Sequence, residues 1–198
     1  FKGIGLRGRL QPLFPLKGDC AIVCNRQGII WTITGEGKGK TTAAFGQVLR
    51  ALGQGQKVAI IQFLKGSQLY GESKFLKNIC DERLLLKQFG LPTFVHSRAA
   101  SWIDRDLAAR GWLYGLKLLN ADYDLIVFDE INVALNFGLL DEKDVIEALL
   151  SKPRQLSVIL TGRNAPTGII TISNTVSKIE NIKHHFDLGI LAQSGIEF

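Results

Sequence analysis

Residues 28–53, "GIIWTITGEGKGKTTAAFGQVLRALG", leave a chain few choices of fold. An apolar, β-branched run (28–34) reads as a buried strand. A loop follows with glycine at 35, 37 and 39. Beyond it Ala43, Ala44, Val48, Ala51 and Leu52 recur at near-helical spacing until Gly53 and Gly55. Strand, glycine loop, helix is the context that phosphate binding requires. Glycines let backbone N–H groups converge on phosphate oxygens, and the helix turns its positive end toward them. Lys40 would reach the terminal phosphates as a point charge, and Thr41 would offer its hydroxyl to Mg²⁺. Gly35, Glu36, Gly37, Lys38, Gly39 and Thr42 complete the candidate cradle. The common pattern G-x-x-x-x-G-K-[ST] calls for glycine at 34. This chain has Thr34, and its spacing is Gly35-x3-Gly39-Lys40-Thr41.

More buried strands are read at 57–64 (KVAIIQFL), 84–89 (LLLKQF), 123–130 (YDLIVFDE) and 155–162 (QLSVILTG). Helices are read at 101–120, with Ser101 as cap, and at 141–152, ended by Pro153. Residues 65–73 read as a loop, and 175–187 as a weak strand and turn. Strands alternating with helices predict an α/β fold. Its sheet is open and mostly parallel, with helices on both faces. Residues 28–198 form one domain behind a basic arm, residues 1–27.

That arm carries Lys2, Arg7, Arg9, Lys17 and Arg26 against one acid, Asp19. A targeting segment and an untidy basic extension fit it equally. A start at Phe1 in a chain without Met reads as something other than a native translation start. Hydrophobic residues at 46% and charged ones at 21% suit a soluble globular protein. No apolar run approaches the roughly 20 residues a membrane helix needs, so no membrane role is expected. A net charge of +6 without a dense Lys/Arg block suits an anionic ligand and argues against nucleic acid. Cys20, Cys24 and Cys80 lack metal-site spacing and read as reduced thiols of a cytoplasmic protein.

The run "YDLIVFDE" ends in Asp129 and Glu130. Carboxylates at the carboxyl end of a parallel strand lie where such sheets bind ligands. One acid would hold Mg²⁺ or its water shell; in a hydrolase the other would polarise water. ATP with Mg²⁺ follows from these parts, but the fate of ATP does not. A transferase, an ATPase or kinase using Glu130 to activate water, and an ATP-dependent binding switch all need them.

Several blocks in order resemble the phosphate-loop ATP:corrinoid adenosyltransferases. They are "TGEGKGKTTAAFG", "GQKVAIIQFLKG", "LIVFDEINVALNFGLL", "VILTGRNAP" and the tail "IKHHFDLGILAQSGIEF". They cover residues 28–198, and the shortened glycine loop is that family's own variant. The resemblance implies a RecA-like P-loop NTPase fold and a reaction other than hydrolysis. A Co(I) corrinoid attacks the ribose C5′ carbon of ATP, and triphosphate leaves. Lys40 and Glu130 are then the catalytic candidates, and Thr41 and Glu130 stand at the metal with Asp129 behind. A reduced flavoprotein electron donor and a homodimer are implied in the same way.

The family displaces the lower cobalt ligand with apolar side chains. Here the candidate segment is 89–102, with Phe89, Phe94 and Trp102, and Phe94 is the residue assigned to the corrinoid. Ordinary core aromatics fit these positions too. Arg163 and Asn164, after the strand at 155–162, either hold the ligand or form a turn. Lys65 either touches phosphate or is a surface lysine. His96 either approaches cobalt or is solvated. His184 and His185, read as strand neighbours, would point to opposite faces. After "GRNAP" the chain reads "TGIITISNTVSKI", whose Gly and β-branched residues weaken the helix that relatives carry there.

Overall fold

The computed structural model describes residues 26–66, 70–79, 81–91 and 100–197. Six strands form one sheet: β1 (Ile30–Thr34), β2 (Val58–Phe63), β3 (Leu84–Phe89), β4 (Leu125–Asp129), β5 (Ser157–Thr161) and β6 (Thr175–Lys178). Their spatial order is β3-β2-β4-β5-β1-β6, and every pairing is parallel. Parallel neighbours need crossovers, supplied by α1 (Lys40–Gly53), α2 (Gly71–Asn78), α3 (Trp102–Leu119), α4 (Ile131–Asn136), α5 (Glu142–Leu150) and α6 (Thr167–Ile172).

The strands alternate between two apolar clusters, one on each face. Ile33, Val58, Ile60, Leu125, Val127 and Ile159 pack under α1. Ala59, Ile61, Phe63, Ile126, Phe128 and Leu160 pack under α3 and the helices that follow. Both faces are covered, which explains why the central strands read as continuous apolar runs. From β1 the chain moves toward β3 over one face. From β3 it returns over the other and passes β1 to lay β6 on the far edge. The strand that feeds the glycine loop therefore sits beside β5, whose own connection runs the opposite way. Their carboxyl ends form the crevice where such sheets bind ligands.

Three segments differ from the sequence reading. Residues 71–78, whose first three were read as the end of a loop, form α2, which seats Ser73 and Leu76 in the core. Its first residue is Gly71 and no side chain caps it, so it carries no start signal. Residues 131–136 form α4 directly after the acids. The weak stretch after Pro166 makes a short α6 anchored by buried Ile169. Residues 175–178 are a strand, as read, added outside β1.

Candidate active site

The carboxyl edge of the sheet concentrates unusual backbone. Gly35 (φ 100) follows β1, Leu64 (φ 57) follows β2, Glu130 (φ 64) follows β4, and Gly162 (φ 129) and Asn164 (φ 52) follow β5. Non-glycine residues in the left-handed region cost energy that the surroundings must supply, and they gather at functional edges. At Gly35 a Cβ would lie 2.3 Å from the Ile179 carbonyl oxygen, so the loop lies against the chain leaving β6. The Gly37 N–H donates to that carbonyl at 2.8 Å, while Gly39 (φ 116) turns the chain into α1.

Strand register brings the polar groups together. Gln62 on β2 pairs directly with Asp129 on β4, so both side chains share the α1 face. The Asp129 carboxylate is fully buried. Its Oδ1 accepts from Thr41 Oγ1 (2.9 Å) and Thr161 Oγ1 (2.7 Å), and its Oδ2 accepts from Gln62 Nε2 (2.8 Å) and Lys65 Nζ (2.7 Å). Each oxygen is saturated by two donors. Burial opposes the charge on Asp129. The charge of Lys65, followed by the hydrogen bonds from Lys65, Thr161 and Gln62, outweighs burial and holds its pKa below the ordinary value. For Lys65 burial again works against the charge, and attraction to Asp129 and Glu130 more than offsets it, so its pKa is raised. Lys65 also donates to Thr41 Oγ1 at 3.1 Å, which joins it to the phosphate-loop network.

Glu130 caps α4 with its backbone N–H on Thr161 Oγ1, and its side chain lines a cleft of about 1020 Å³. Burial and the neighbouring Asp129 charge raise its pKa. Lys40 donates to the Gly37 carbonyl at 2.6 Å. Burial lowers its pKa, with Arg163 adding repulsion. Glu36, Lys38, Gly39, Lys40, Thr41 and Thr42 line the cleft on one side, and Arg163 and Asn164 line it on another. Arg163 Nε stands 3.3 Å from Glu36 Oε2, bridging the loops after β1 and β5.

The expected Thr41, Asp129 and Glu130 are thus brought together. Lys65, read as touching phosphate or as a surface lysine, lines the cleft with its largely buried ammonium paired to Asp129. Gln62 and Thr161 were missed; their only signals were one polar residue inside the apolar β2 and a threonine at the end of β5. Phe94 and His96 lie outside the described residues. Phe89 packs its ring 5.9 Å from Tyr114 as part of the core, whereas Trp102 is 78% exposed at the start of α3. The two histidines are not in a strand. His184 caps a short 3-10 helix, His185–Leu188, and the two rings stack at 4.4 Å. No group of three or more His, Cys, Asp or Glu poised for a metal exists among the described residues. None of their helices is long and apolar enough to cross a membrane.

The profile of the ATP:corrinoid adenosyltransferase family BtuR/CobO/CobP matches residues 26–198. The chain belongs to this family. It is 36% identical over 181 residues to the corrinoid adenosyltransferase of Escherichia coli, covering 88% of this chain and 87% of that one. It is 38% identical over 180 residues to the corrinoid adenosyltransferase CobA of Salmonella typhimurium, covering 87% and 86%. With the corrinoid adenosyltransferase of Pseudomonas aeruginosa it shares 35% over 181 residues, covering 88% and 85%. The family is one of transferases.

Proposed function

We propose that this enzyme transfers the 5′-deoxyadenosyl group of ATP to the cobalt of a Co(I) corrinoid and releases triphosphate. The observation that carries the reading is a family-wide sequence match whose glycine loop and paired acids meet at one cleft. Co(I) donates its electron pair to C5′, the C5′–O5′ bond breaks, and those electrons leave on the triphosphate. The chain's task is to bind the leaving group and stabilise its growing charge. Lys40 and the N–H groups of the glycine loop supply that stabilisation. No general base is required, because Co(I) is itself the nucleophile.

The donor chemistry fits Mg²⁺. Glu130 and Thr41 offer hard oxygen atoms at the cleft, and Mg²⁺ typically takes one or two protein oxygens and fills the rest with phosphate and water. Asp129 has no oxygen to spare and acts from behind, orienting Thr41 and fixing Lys65. Bound there, Mg²⁺ would neutralise charge on the triphosphate. Arg163 and Asn164 would contact the nucleotide, and Phe94 would face the corrinoid. A reduced flavoprotein donor, a cytoplasmic setting and a homodimer belong to the same reading and rest on the resemblance.

The test is anaerobic: protein, Mg²⁺-ATP and chemically reduced Co(I) cobalamin, followed by visible spectrum and phosphate analysis. Loss of the Co(I) band, a light-sensitive alkylcobalt product and stoichiometric triphosphate are expected. Phosphate release that falls in Glu130→Gln would support an ATPase instead. Intact ATP beside an unchanged Co(I) spectrum would leave only a binding switch.

A further inference from the structure

Nothing in the transfer chemistry gives a task to the tail block, residues 182–198, although the resemblance rests partly on it. The described part of that block folds back onto the nucleotide cleft. After the 3-10 helix His185–Leu188 the chain turns at Gly189 (φ 76) and again at Gly195 (φ 81). Gly195, Ile196 and Glu197 then line the cleft beside Lys38 and Gly39.

The contacts are directed at the glycine loop. Lys38 Nζ donates to the Ile196 carbonyl at 2.6 Å and pairs with Glu197 Oε1 at 2.9 Å. Glu197 is itself held within the tail. His185 Nε2 lies 3.2 Å from its Oε1, and the Gln193 N–H donates to its Oε2 at 3.1 Å. A lysine ammonium has three donors. One is engaged by the Ile196 carbonyl and the ammonium is also ion-paired with Glu197, which still leaves an N–H for an acceptor in the cleft. A long flexible side chain ordered in advance loses less freedom when its ligand arrives.

We propose that Glu197 is a positioning residue for the triphosphate of ATP: with the Ile196 carbonyl it holds Lys38 over the glycine loop, leaving an N–H of that lysine for a phosphate oxygen, and residues 195–197 form a wall of the phosphate subsite. The proposal rests on the reading that triphosphate occupies the glycine loop, and is independent of the corrinoid step. Orientation and charge make opposite forecasts. Glu197 partly neutralises Lys38, so its removal strengthens anion binding if charge dominates and weakens it if orientation does.

The experiment is calorimetric titration of the full chain with inorganic triphosphate and, separately, with adenosine, both with Mg²⁺. In Glu197→Gln the triphosphate affinity should fall roughly tenfold, the scale of one charge-assisted hydrogen bond, with adenosine unaffected. The exchanged pair Lys38→Glu with Glu197→Lys should keep the tail docked yet not recover triphosphate binding. Recovery would mean that the pair only fastens the tail, and would overturn the proposal, as would unchanged or tighter triphosphate binding in Glu197→Gln. Hydrogen exchange on the unaltered protein gives a readout that needs no variant. Triphosphate should slow exchange at residues 194–197, and faster exchange would show the tail being expelled and sink the idea. Unaltered protein that binds no triphosphate would overturn this proposal and the nucleotide reading together. Binding without any cobalt–carbon product would overturn only the transfer reading.

Discussion

Asp129 shows how far a single carboxylate organises this molecule. Four donors from four different segments meet on it: Thr41, Gln62, Lys65 and Thr161. Asp129→Asn keeps the shape but leaves the Lys65 ammonium, 12% exposed, without its ion-pair partner. Removing one member of a buried pair costs about 3–5 kcal/mol, and urea unfolding should show a loss at the low end of that range because Glu130 stays near. Lys40→Met should keep the fold while lowering the rate of transfer by about 10²–10³-fold, the usual cost of removing one preorganised donor at a charged transition state.

The pH dependence follows from the same residues. Asp129 is depressed on folding, so its contribution is present above its unfolded value of about 3.9 and is lost as pH falls through its lower folded value. Lys65 is raised, so its contribution is present below about 10.4 and is lost as pH rises through its higher folded value. Glu130 has the opposite sign for an acid. Its raised folded pKa means that stability increases as pH falls through that value toward about 4.3. Denaturation in metal-free buffer should therefore show a rise as pH is lowered, before the Asp129 loss begins. Glu130→Gln should abolish the rise and leave the loss.

Among the elements, α3 approaches the sheet closely at Gly115. A Cβ on Gly115 would lie 2.6 Å from the Phe128 ring, which is also packed against Trp112 and Phe63. Overpacking of about 1–3 kcal/mol outweighs the gain of about 1 kcal/mol from alanine's helix propensity. Gly115→Ala should thus lose up to about 2 kcal/mol in a urea titration. The start of this helix was legible from Ser101, which accepts from the Asp104 N–H in a full capping box. Strands β1, β2, β4 and β5 were equally legible, because burial on both faces leaves a continuous apolar run. Helix α2 was not, since Gly71 opens it and only Ser73 and Leu76 are buried along it. Within the site, Lys40, Thr41, Asp129 and Glu130 could be read because each follows a strand or opens a helix. Gln62 and Thr161 could not, because their role depends on strand register, which no local pattern states. Lys65 stayed ambiguous until the neighbour that buries it was known.

For the molecule as a whole, the order β3-β2-β4-β5-β1-β6 sets the loops after β1, β4 and β5 side by side. A ligand bound there ties together segments that unfold as one. Mg²⁺-triphosphate at 100 times its dissociation constant should add about 2.7 kcal/mol of stability. For a chain of 198 residues that is an upward shift of roughly 5–10 °C in melting temperature. A scan with and without ligand checks it, and no shift would count against the cleft as the phosphate site.

The bracing of the glycine loop by the chain after β6 bears on how the protein is made. Gly37 donates to the Ile179 carbonyl, and Ile179 donates back to the Thr34 carbonyl. Among the described residues, the loop follows the first strand of the sheet, but its support follows the last. On the ribosome, the first five strands and most of the core precede any residue that can brace that loop. A chain still in synthesis can thus collapse around its hydrophobic interior while its nucleotide cradle remains unfinished. The brace that completes the cradle is therefore made only once the chain past β6 has been synthesised.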